Sequence, residues 1–346
     1  MYEAFKGTKK LLSRKPKVQS PRPDNFVFRL HYQFTFGFLA IAVLLVTGYS
    51  YIDTNGSAIQ CMMDKGIGVP APVINSFCWI MSTYSLPKYY NGDQGTDFIH
   101  HGVGPQGEDD EEVYHAYYQW VPLFLSFQAV MFYLPHYIWK VIEGGRFRRI
   151  VAGLNLILDN MEYSDQEIDL NNLATYMNTR VSHGNKGEHI SWAIKFYLCE
   201  VLNFINVVVQ IVITDRFLGG SFYNYGIEAA SWSDIEEEDR VDPMYKVFPR
   251  MTKCMFHKYG GSGTLQKFDA LCVLGMNIIN EKIFVFLWFW YVFLATVTAI
   301  NLIMRISQFM SSSMRFNLVK FEEFGIKEKQ IKHDVLENVL SQLSFI

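Results

Sequence analysis

The sequence predicts an all-α integral membrane protein with four transmembrane helices in each subunit, a helical cytosolic region and disulfide-bonded outer loops with some β structure. Two observations carry this prediction. Four stretches are almost free of Asp, Glu, Lys and Arg, although the 346 residues include 34 acidic and 31 basic ones. Four of the five cysteines fall as two pairs in the segments between those stretches. An ordinary soluble domain would spread its charges more evenly along the chain.

Each of the four apolar stretches is about 20 residues long, which is enough to cross a bilayer as a helix. We predict spans at residues 32–52, 117–139, 196–217 and 283–304. Tyr and Trp side chains are concentrated at both ends of the second span, as expected where aromatic rings meet lipid headgroups. The segments outside the spans are residues 1–31, 53–116, 140–195, 218–282 and 305–346. With no internal repeat or linker between them, the whole chain is predicted to be a single membrane unit.

The distribution of Lys and Arg predicts the orientation of the chain. Residues 1–31 hold eight basic residues and residues 140–195 hold seven, whereas residues 53–116 hold two against nine acidic ones. Because basic residues favour the cytosolic side of short connecting segments, both termini and the middle segment are predicted to be cytosolic. The segments 53–116 and 218–282, which we call the first and second outer loops, are then extracellular.

Charge and motifs argue against several classes of function. A net charge of −3 without a long basic block argues against a surface that binds nucleic acid. The spacing Gly102-x-Gly104-x-x-Gly107 lies in an acidic outer loop with no strand before it, so we do not interpret it as a nucleotide site. The acidic runs 108–112 and 234–239 lack the spacing of a calcium loop and are interpreted as solvated surface. No set of nucleophile and base indicates an enzyme, and we expect no cofactor or metal.

The cysteines indicate disulfides in the outer loops. Cys61 and Cys78 lie in the first outer loop, and Cys254 and Cys272 lie in the second. Pairs confined to non-cytosolic segments are typical of disulfides in an oxidising compartment. Four cysteines allow three connectivities, and their spacing does not choose among them. Cys199, inside the third span, is interpreted as a buried packing residue.

The third span carries a polar stripe. Glu200, Asn203, Asn206 and Gln210 fall within an arc of about 120° on a helix. In lipid such a stripe must be hidden, so it either lines water or hydrogen-bonds a neighbouring helix, and the second interpretation is preferred. Glu200 is a functional candidate because ionisable groups inside spans usually are, although its position in the first turn would let it reach the cytosolic interface.

Pro122 is a candidate for gating because of its place near the start of the second span. If the helix begins in the outer loop, Pro122 is interior and produces a kink where motion could concentrate. If the helix begins at Gln119, the proline is only an N-terminal residue. The sequence leaves both alternatives open.

Several long motifs resemble those of the innexins, the invertebrate gap-junction proteins, and among these they are most similar to insect members. The signature is Tyr117-Tyr118-Gln119-Trp120-Val121-Pro122. Further matching segments are Phe132-Tyr133-x-Pro135, Glu143-Gly144-Gly145, Phe248-Pro249-Arg250-Met251-Thr252-Lys253-Cys254, Asn277-Ile278-x-Asn280-Glu281-Lys282-Ile283 and Phe286-Leu287-Trp288-Phe289-Trp290. The resemblance covers about residues 24–305, whereas the tail after Met314 lacks the Gly-Asp-Trp/Phe segment expected there.

The resemblance implies a plasma-membrane protein of gap junctions whose subunits form an octameric hemichannel around a central axis. Two hemichannels in apposed cells would dock through the outer loops and pass ions and small metabolites. The implied partners are further copies of this chain, the docked hemichannel, other innexins and membrane lipid. The resemblance also implies disulfides between Cys61 and Cys272 and between Cys78 and Cys254. It places the first span and the amino-terminal segment at the pore wall, where the candidates are Tyr2, Glu3, Phe5 and Asp53.

The sequence leaves two alternative functions open. Within channels, the alternative is an undocked release channel similar to pannexins. A four-span adhesion or scaffold protein is the alternative from a different class, but the Cys-Cys-Gly of tetraspanins and the Cys-x-Cys of claudin-type loops are absent. Connexins are excluded because they carry three cysteines in each outer loop, whereas each outer loop here carries two.

Overall fold

The computed structural model describes residues 24–52, 59–63, 68–91, 95–107, 109–145, 186–231 and 243–311. The chain divides into two compact units. One consists of residues 1–28, 136–199 and 303–346, and the other of residues 29–135 and 200–302. The predicted pore residues Tyr2, Glu3, Phe5 and Asp53 lie outside the described residues, as do the acidic run 234–239 and most of the predicted helical cytosolic region.

Within the described residues, four helices are long and apolar enough to cross a membrane, which confirms the predicted fold class. Helix α1 covers residues 26–52 and contains a π-helical stretch at Leu30–Thr35. The second crossing helix is α3, Val121–Glu143, which follows a 3-10 turn at Tyr117–Gln119. The third, α4, is Lys186–Phe217, and the fourth, α7, is Met276–Met310, so both extend beyond the predicted spans. A helix is the form expected because it satisfies every backbone polar group within its own segment.

The end of α4 shows how glycine stops a membrane helix. Gly220 has φ of +85°, a conformation that side chains with a Cβ rarely adopt. Its backbone N–H donates to the carbonyl of Asp215 at 2.8 Å, while the N–H of Leu218 donates to the carbonyl of Thr214 at 3.0 Å. These bonds satisfy carbonyl groups that would otherwise lack a partner at the helix end, so the chain turns sharply into the second outer loop.

The two outer loops fold together as one sheet. The first contributes β1 (Gln60–Met62), α2 (Ala71–Met81), β2 (Thr83–Ser85) and β3 (Val113–His115). The second contributes α5 (Phe222–Ser231), α6 (Pro243–Val247), β4 (Met251–Tyr259) and β5 (Leu265–Val273). The strand order is β1-β5-β4-β2-β3, and every pairing is antiparallel. The β4–β5 hairpin therefore forms the centre, β1 and β2 pair with its two edges, and β3 pairs with β2.

The larger unit has an apolar core to which all four crossing helices contribute. The buried side chains of this core include Leu39, Val46, Leu125, Phe132, Val207, Phe284, Leu287 and Leu294. Helix α5 joins the core at a close approach, because a Cβ at Gly226 would lie 2.0 Å from the ring of Trp288. Only glycine fits there, so this residue sets how closely α5 lies against α7.

In the smaller unit, aromatic side chains surround Phe196. The ring of Phe196 stacks on Phe28 with centroids 5.7 Å apart and meets the edge of Trp139 at 4.8 Å. The guanidinium carbon of Arg305 lies 5.9 Å from the centroid of the same ring, within the range of a cation–π contact. These contacts join segments that are far apart in sequence.

Candidate functional site

Two disulfides connect the first outer loop to the second. Cys61 on β1 is bonded to Cys272 on β5, with an S–S distance of 2.06 Å, and these residues are directly opposite each other in the sheet. Cys78 on α2 is bonded to Cys254 on β4 at 2.05 Å. This is the pairing that the innexin resemblance implies. Cys199 is buried in α4 and is not part of a disulfide.

The four cysteines of these bridges lie in a small apolar core of their own. Their neighbours are the buried side chains of Ile59, Ile74, Tyr118, Ala270 and Leu274. This core is made from both outer loops and from the turn that precedes α3. The disulfides therefore lie inside a packed core that both outer loops form, and they stabilise that core as well as connecting the loops.

The Tyr-Tyr-Gln-Trp motif holds the helix that presents Cys78. The Tyr118 hydroxyl donates to the carbonyl of Cys78 at 3.4 Å, and its ring centroid lies 4.6 Å from that of Trp79. The amide of Gln119 donates to the carbonyl of Trp79. The side chain of Trp120 is 59% exposed, as expected of an aromatic residue facing lipid headgroups. The motif thus positions the end of α2 against the start of α3.

One amide connects the motif to the fourth crossing helix. The Asn277 side chain on α7 donates to the Tyr117 hydroxyl at 2.9 Å and to the carbonyl of Pro249 at 2.7 Å. The ring of Tyr117 meets the edge of Phe248 with centroids 5.5 Å apart. Sequence reasoning did not find these contacts, although all of the residues belong to the matching segments. The presence of all these residues in the matching segments was the sequence feature that could have indicated their contacts.

A buried carboxylate lies one turn further along α7. The Glu281 side chain is fully buried, and its oxygens lie 2.9 Å from the Arg250 guanidinium and 2.6 Å from the Lys282 ammonium. A buried charge is tolerated when it is paired and hydrogen-bonded. Arg250 immediately precedes β4, so this ion pair connects the base of the sheet to α7. Sequence reasoning missed it, because it treated these residues only as family motifs.

A serine–histidine pair in the outer loops is enclosed by the surrounding structure. Ser85 Oγ lies 2.6 Å from His115 Nε2 and 2.5 Å from the Tyr90 hydroxyl. Burial lowers the pKa of His115 from 6.5 to about 4, so the imidazole is neutral at physiological pH. Both Ser85 and His115 are buried, so the pair is part of the packed interior of the outer structure.

Side-chain hydrogen bonds connect the first and fourth crossing helices. His31 Nε2 on α1 lies 2.9 Å from Thr298 Oγ1 on α7. The indole N–H of Trp290 donates to the hydroxyl of Thr35 between the same two helices, also at 2.9 Å. Polar side chains in lipid commonly pair in this way, so these groups join α1 to α7 and do not face the bilayer.

The polar stripe of the third span faces the interior of the helical bundle. Asn301 of α7 donates to the Glu200 carboxylate at 3.2 Å. On the same helix, Thr214 accepts a hydrogen bond from Gln128 of α3 at 2.8 Å. The bond to Glu200 favours the interpretation that the stripe hydrogen-bonds neighbouring helices, and the bond to Thr214, one turn beyond the stripe, joins α4 to α3 in the same way. All four residues of the stripe are buried: Glu200, Asn203, Asn206 and Gln210.

A further buried acid lies near the end of α4. The Asp215 carboxylate accepts the backbone N–H of Tyr223 at 3.2 Å, while the backbone carbonyl of Asp215 accepts the N–H of Gly220. Asp215 therefore stabilises the turn between α4 and α5. Sequence reasoning missed it, because an acid at the edge of an apolar stretch is usually interpreted as solvated.

Pro122 occupies the start of its helix. It is the second residue of α3, where a backbone N–H would have no intrahelical acceptor in any case, so the N-terminal alternative describes its position. An interior kink at Pro122 is therefore not present, since the proline removes no helical hydrogen bond there. The proline inside α3 is Pro135, which is buried.

The fold and these sites define the class of protein: a membrane protein with four crossing helices whose two outer loops form one disulfide-bonded, sheet-containing structure. Comparison with known proteins identifies the family. The innexin family model matches residues 24–345. Innexin inx2 of Schistocerca americana is 44% identical over 96% of this chain and 88% of its own length. Innexin inx2 of Drosophila melanogaster is 42% identical over 92% of this chain and 83% of its own length. Innexin shaking-B of the same species is 36% identical over 98% of this chain and 86% of its own length.

The chain belongs to the innexin family, which confirms the resemblance seen in its motifs. It is therefore a subunit of an oligomeric gap-junction channel of the membrane. Among the predicted site residues, the structure brings the four cysteines and the Tyr-Tyr-Gln-Trp motif together in the outer structure. Glu200 lies apart from them, near the middle of α4.

Proposed function

We propose that eight copies of this innexin surround a central axis to form a hemichannel, and that two hemichannels in apposed plasma membranes dock through their outer loops. The docked pair passes ions and small metabolites between cells. The observation that carries this proposal is the family match across residues 24–345, which includes the outer loops as well as the spans. Membership of the innexin family establishes that the protein is a gap-junction channel subunit. The number of subunits, the docking and the permeant solutes are what we propose.

The hydrogen bonding of polar side chains within the subunit supports a pore that is shared by symmetric copies. The buried polar residues of α4 bond to α3 and α7 within one chain. The exposed faces of the crossing helices are mainly apolar, as at Ile41, Leu44 and Leu45 of α1. A single bundle of this kind has too little polar surface for an aqueous pore, so closed rotational symmetry is the expected arrangement.

The pore wall is proposed at the first span and the segment before it. Tyr2, Glu3, Phe5 and Asp53 are the candidates, because the family pattern places these segments nearest the axis. Membrane lipid would cover the remaining apolar faces, and other innexins could replace copies of this chain in mixed assemblies. We propose no catalytic role and no nucleic-acid partner.

The proposed orientation puts both termini in the cytosol and the outer loops outside the cell. It is supported by the eight basic residues in residues 1–31 and by disulfides that require an oxidising compartment. Two cross-loop bridges and a shared sheet also give the outer loops a preformed surface. Preformed surfaces lose less conformational entropy on binding, which favours docking.

Paired-cell electrophysiology tests docking. We expect junctional conductance and transfer of a small dye when both of two apposed cells express the protein, and neither when one cell does. Currents in single cells without any coupling would instead identify an undocked channel. Surface protein in both cells with neither conductance nor dye transfer would reject the proposal. Imaging of purified particles by electron microscopy tests the subunit number, and a ring of any size other than eight would overturn that part.

A further inference from the structure

The two disulfides lie next to each other. The Sγ atoms of Cys61, Cys78 and Cys272 all lie within 4.8 Å of one another, so a sulfur of the second bridge is close to both sulfurs of the first. Cys254 is not a member of this group. Two bridges at this separation are near enough for one small side-chain movement to bring a released sulfur against its neighbour.

Burial decides where a reagent from solution can enter. Cys61 is 9% exposed, whereas Cys78 and Cys272 are 0% exposed and Cys254 is 1% exposed. Strand β1 also lies at one edge of the sheet, next to β5 alone among the described strands. A small thiol would therefore meet Cys61 first among the four cysteines, since access is one of the factors that set the rate of thiol–disulfide exchange.

We propose that the two bridges form one exchange site for small aliphatic thiols, entered at Cys61 and relayed through Cys272 to Cys78. The incoming thiolate attacks Cys61 Sγ, the bond to Cys272 breaks, and a mixed disulfide forms at Cys61. Cys272 leaves as a thiolate and attacks Cys78 Sγ. The Cys78–Cys254 bond breaks, a Cys78–Cys272 bond forms, and Cys254 leaves as a thiolate that takes a proton from water.

The exchange conserves disulfides, since one thiol enters and one thiol is released. Its product still connects the two outer loops, because Cys78 belongs to the first and Cys272 to the second. Two covalent links change. Strand β4 is no longer bonded to α2 through Cys254, and Cys272 on β5 is bonded to Cys78 on α2 instead of to Cys61 on β1. A thiol signal would thus alter the outer structure without separating the loops.

The test uses the folded wild-type channel. Purified protein is exposed briefly to 2-mercaptoethanol, quenched with acid, alkylated and mapped as peptides without reduction. We expect a Cys78–Cys272 peptide, alkylated Cys254 and a mercaptoethanol adduct on Cys61, none of which is expected in untreated protein. An adduct on Cys61 with Cys78–Cys254 intact would overturn the relay, and so would reduction of Cys78–Cys254 with Cys61–Cys272 intact.

Two matched variants separate proximity from general scrambling. Cys61→Ser leaves Cys272 as a thiol beside Cys78, so the Cys78–Cys272 peptide is expected without any added thiol. Cys78→Ser leaves Cys254, which is outside the group of three, so Cys61–Cys272 is expected to remain the sole linkage. Equal scrambling in both variants would contradict the proposal. The experiment on wild-type protein stands even if either variant fails to fold, and none of these measurements depends on cell coupling.

Discussion

The side-chain amide of Asn277 lies 2.9 Å from the hydroxyl of Tyr117, although the two residues are 160 positions apart in the chain. The same amide donates to the carbonyl of Pro249 at 2.7 Å. Asn277 therefore joins three parts of the outer structure: the start of α7, the turn before α3 and the segment before β4. Asn277 is fully buried, and its bond to the Pro249 carbonyl lies in the interior, where water cannot replace it.

Loss of this amide should destabilise the channel more than loss of one of its acceptors. We expect Asn277→Ala to cost about 1 to 3 kcal/mol, because the buried carbonyl of Pro249 and the half-buried hydroxyl of Tyr117 both lose their donor. Tyr117→Phe removes one of the two bonds and should cost less. Thermal unfolding of purified channels measures both, with Ser262→Ala in the exposed hairpin turn as a control expected to change nothing. Equal stability of Asn277→Ala and wild type would show that the amide is dispensable.

The interhelical role of Glu200 predicts tolerance of an uncharged amide. Glu200→Gln keeps an oxygen that can accept from Asn301, so stability should change by no more than about 0.6 kcal/mol, a typical value for hydrogen bonds between membrane helices. Single-channel conductance should also stay the same, because the side chain is 2% exposed. Glu200→Leu removes the acceptor and should lower surface expression. A large change in cation conductance in Glu200→Gln would place this residue at water instead.

The positions of the two prolines predict that Pro135, and not Pro122, influences gating. Pro122→Ala should leave the open–closed balance unchanged, since Pro122 is at the helix start. Pro135→Ala restores a hydrogen bond inside α3 and should shift that balance by up to about 3 kcal/mol, the usual cost of an interior proline. Hemichannel or junctional currents recorded at matched surface expression measure the shift. A larger effect at Pro122 would contradict the helix start seen in the structure.

Acid should weaken the outer structure through His115. Burial holds the pKa of His115 at about 4 against 6.5 when unfolded, so above pH 6.5 the histidine is neutral in both states and has no effect. As the pH falls from 6.5 to 4, only the unfolded chain takes up the proton, and stability falls by at most about 3 kcal/mol. Unfolding followed across this range should show the loss, and His115→Gln should reduce it. The exposed His257→Gln is the control, and an identical pH profile for His115→Gln and wild type would exclude this histidine as the cause.

Peptide mapping of untreated wild-type protein tests the disulfides. We expect peptides that join Cys61 to Cys272 and Cys78 to Cys254, since both pairs are bonded in the structure. Removal of one bridge should lower stability by about 2 to 4 kcal/mol, because the unfolded loops regain freedom. Cys199→Ala should leave the linkages unchanged. A Cys61–Cys78 peptide, or alkylation of any of the four in untreated surface protein, would contradict this pairing.

Some features could be predicted from local sequence because local physics decides them. A stretch of bilayer length with almost no charge is expected to be helical in lipid, so the four crossing helices follow from composition alone. The start of α3 could not be predicted in this way. Whether Pro122 is interior depends on Tyr118 and Gln119, which bind the end of α2 and hold the chain out of a regular helix until Val121.

By itself the sequence determined the membrane class, the four helices and the presence of paired cysteines in the outer loops, because each depends on residue type and spacing. The tertiary structure decided which side chains meet. Asn277 with Tyr117, Arg250 with Glu281 and Asn301 with Glu200 are contacts between distant segments, and no local pattern encodes their distance. The adjacency of the two disulfides arises in the same way, because the antiparallel register places Cys61 opposite Cys272 while α2 brings Cys78 beside them.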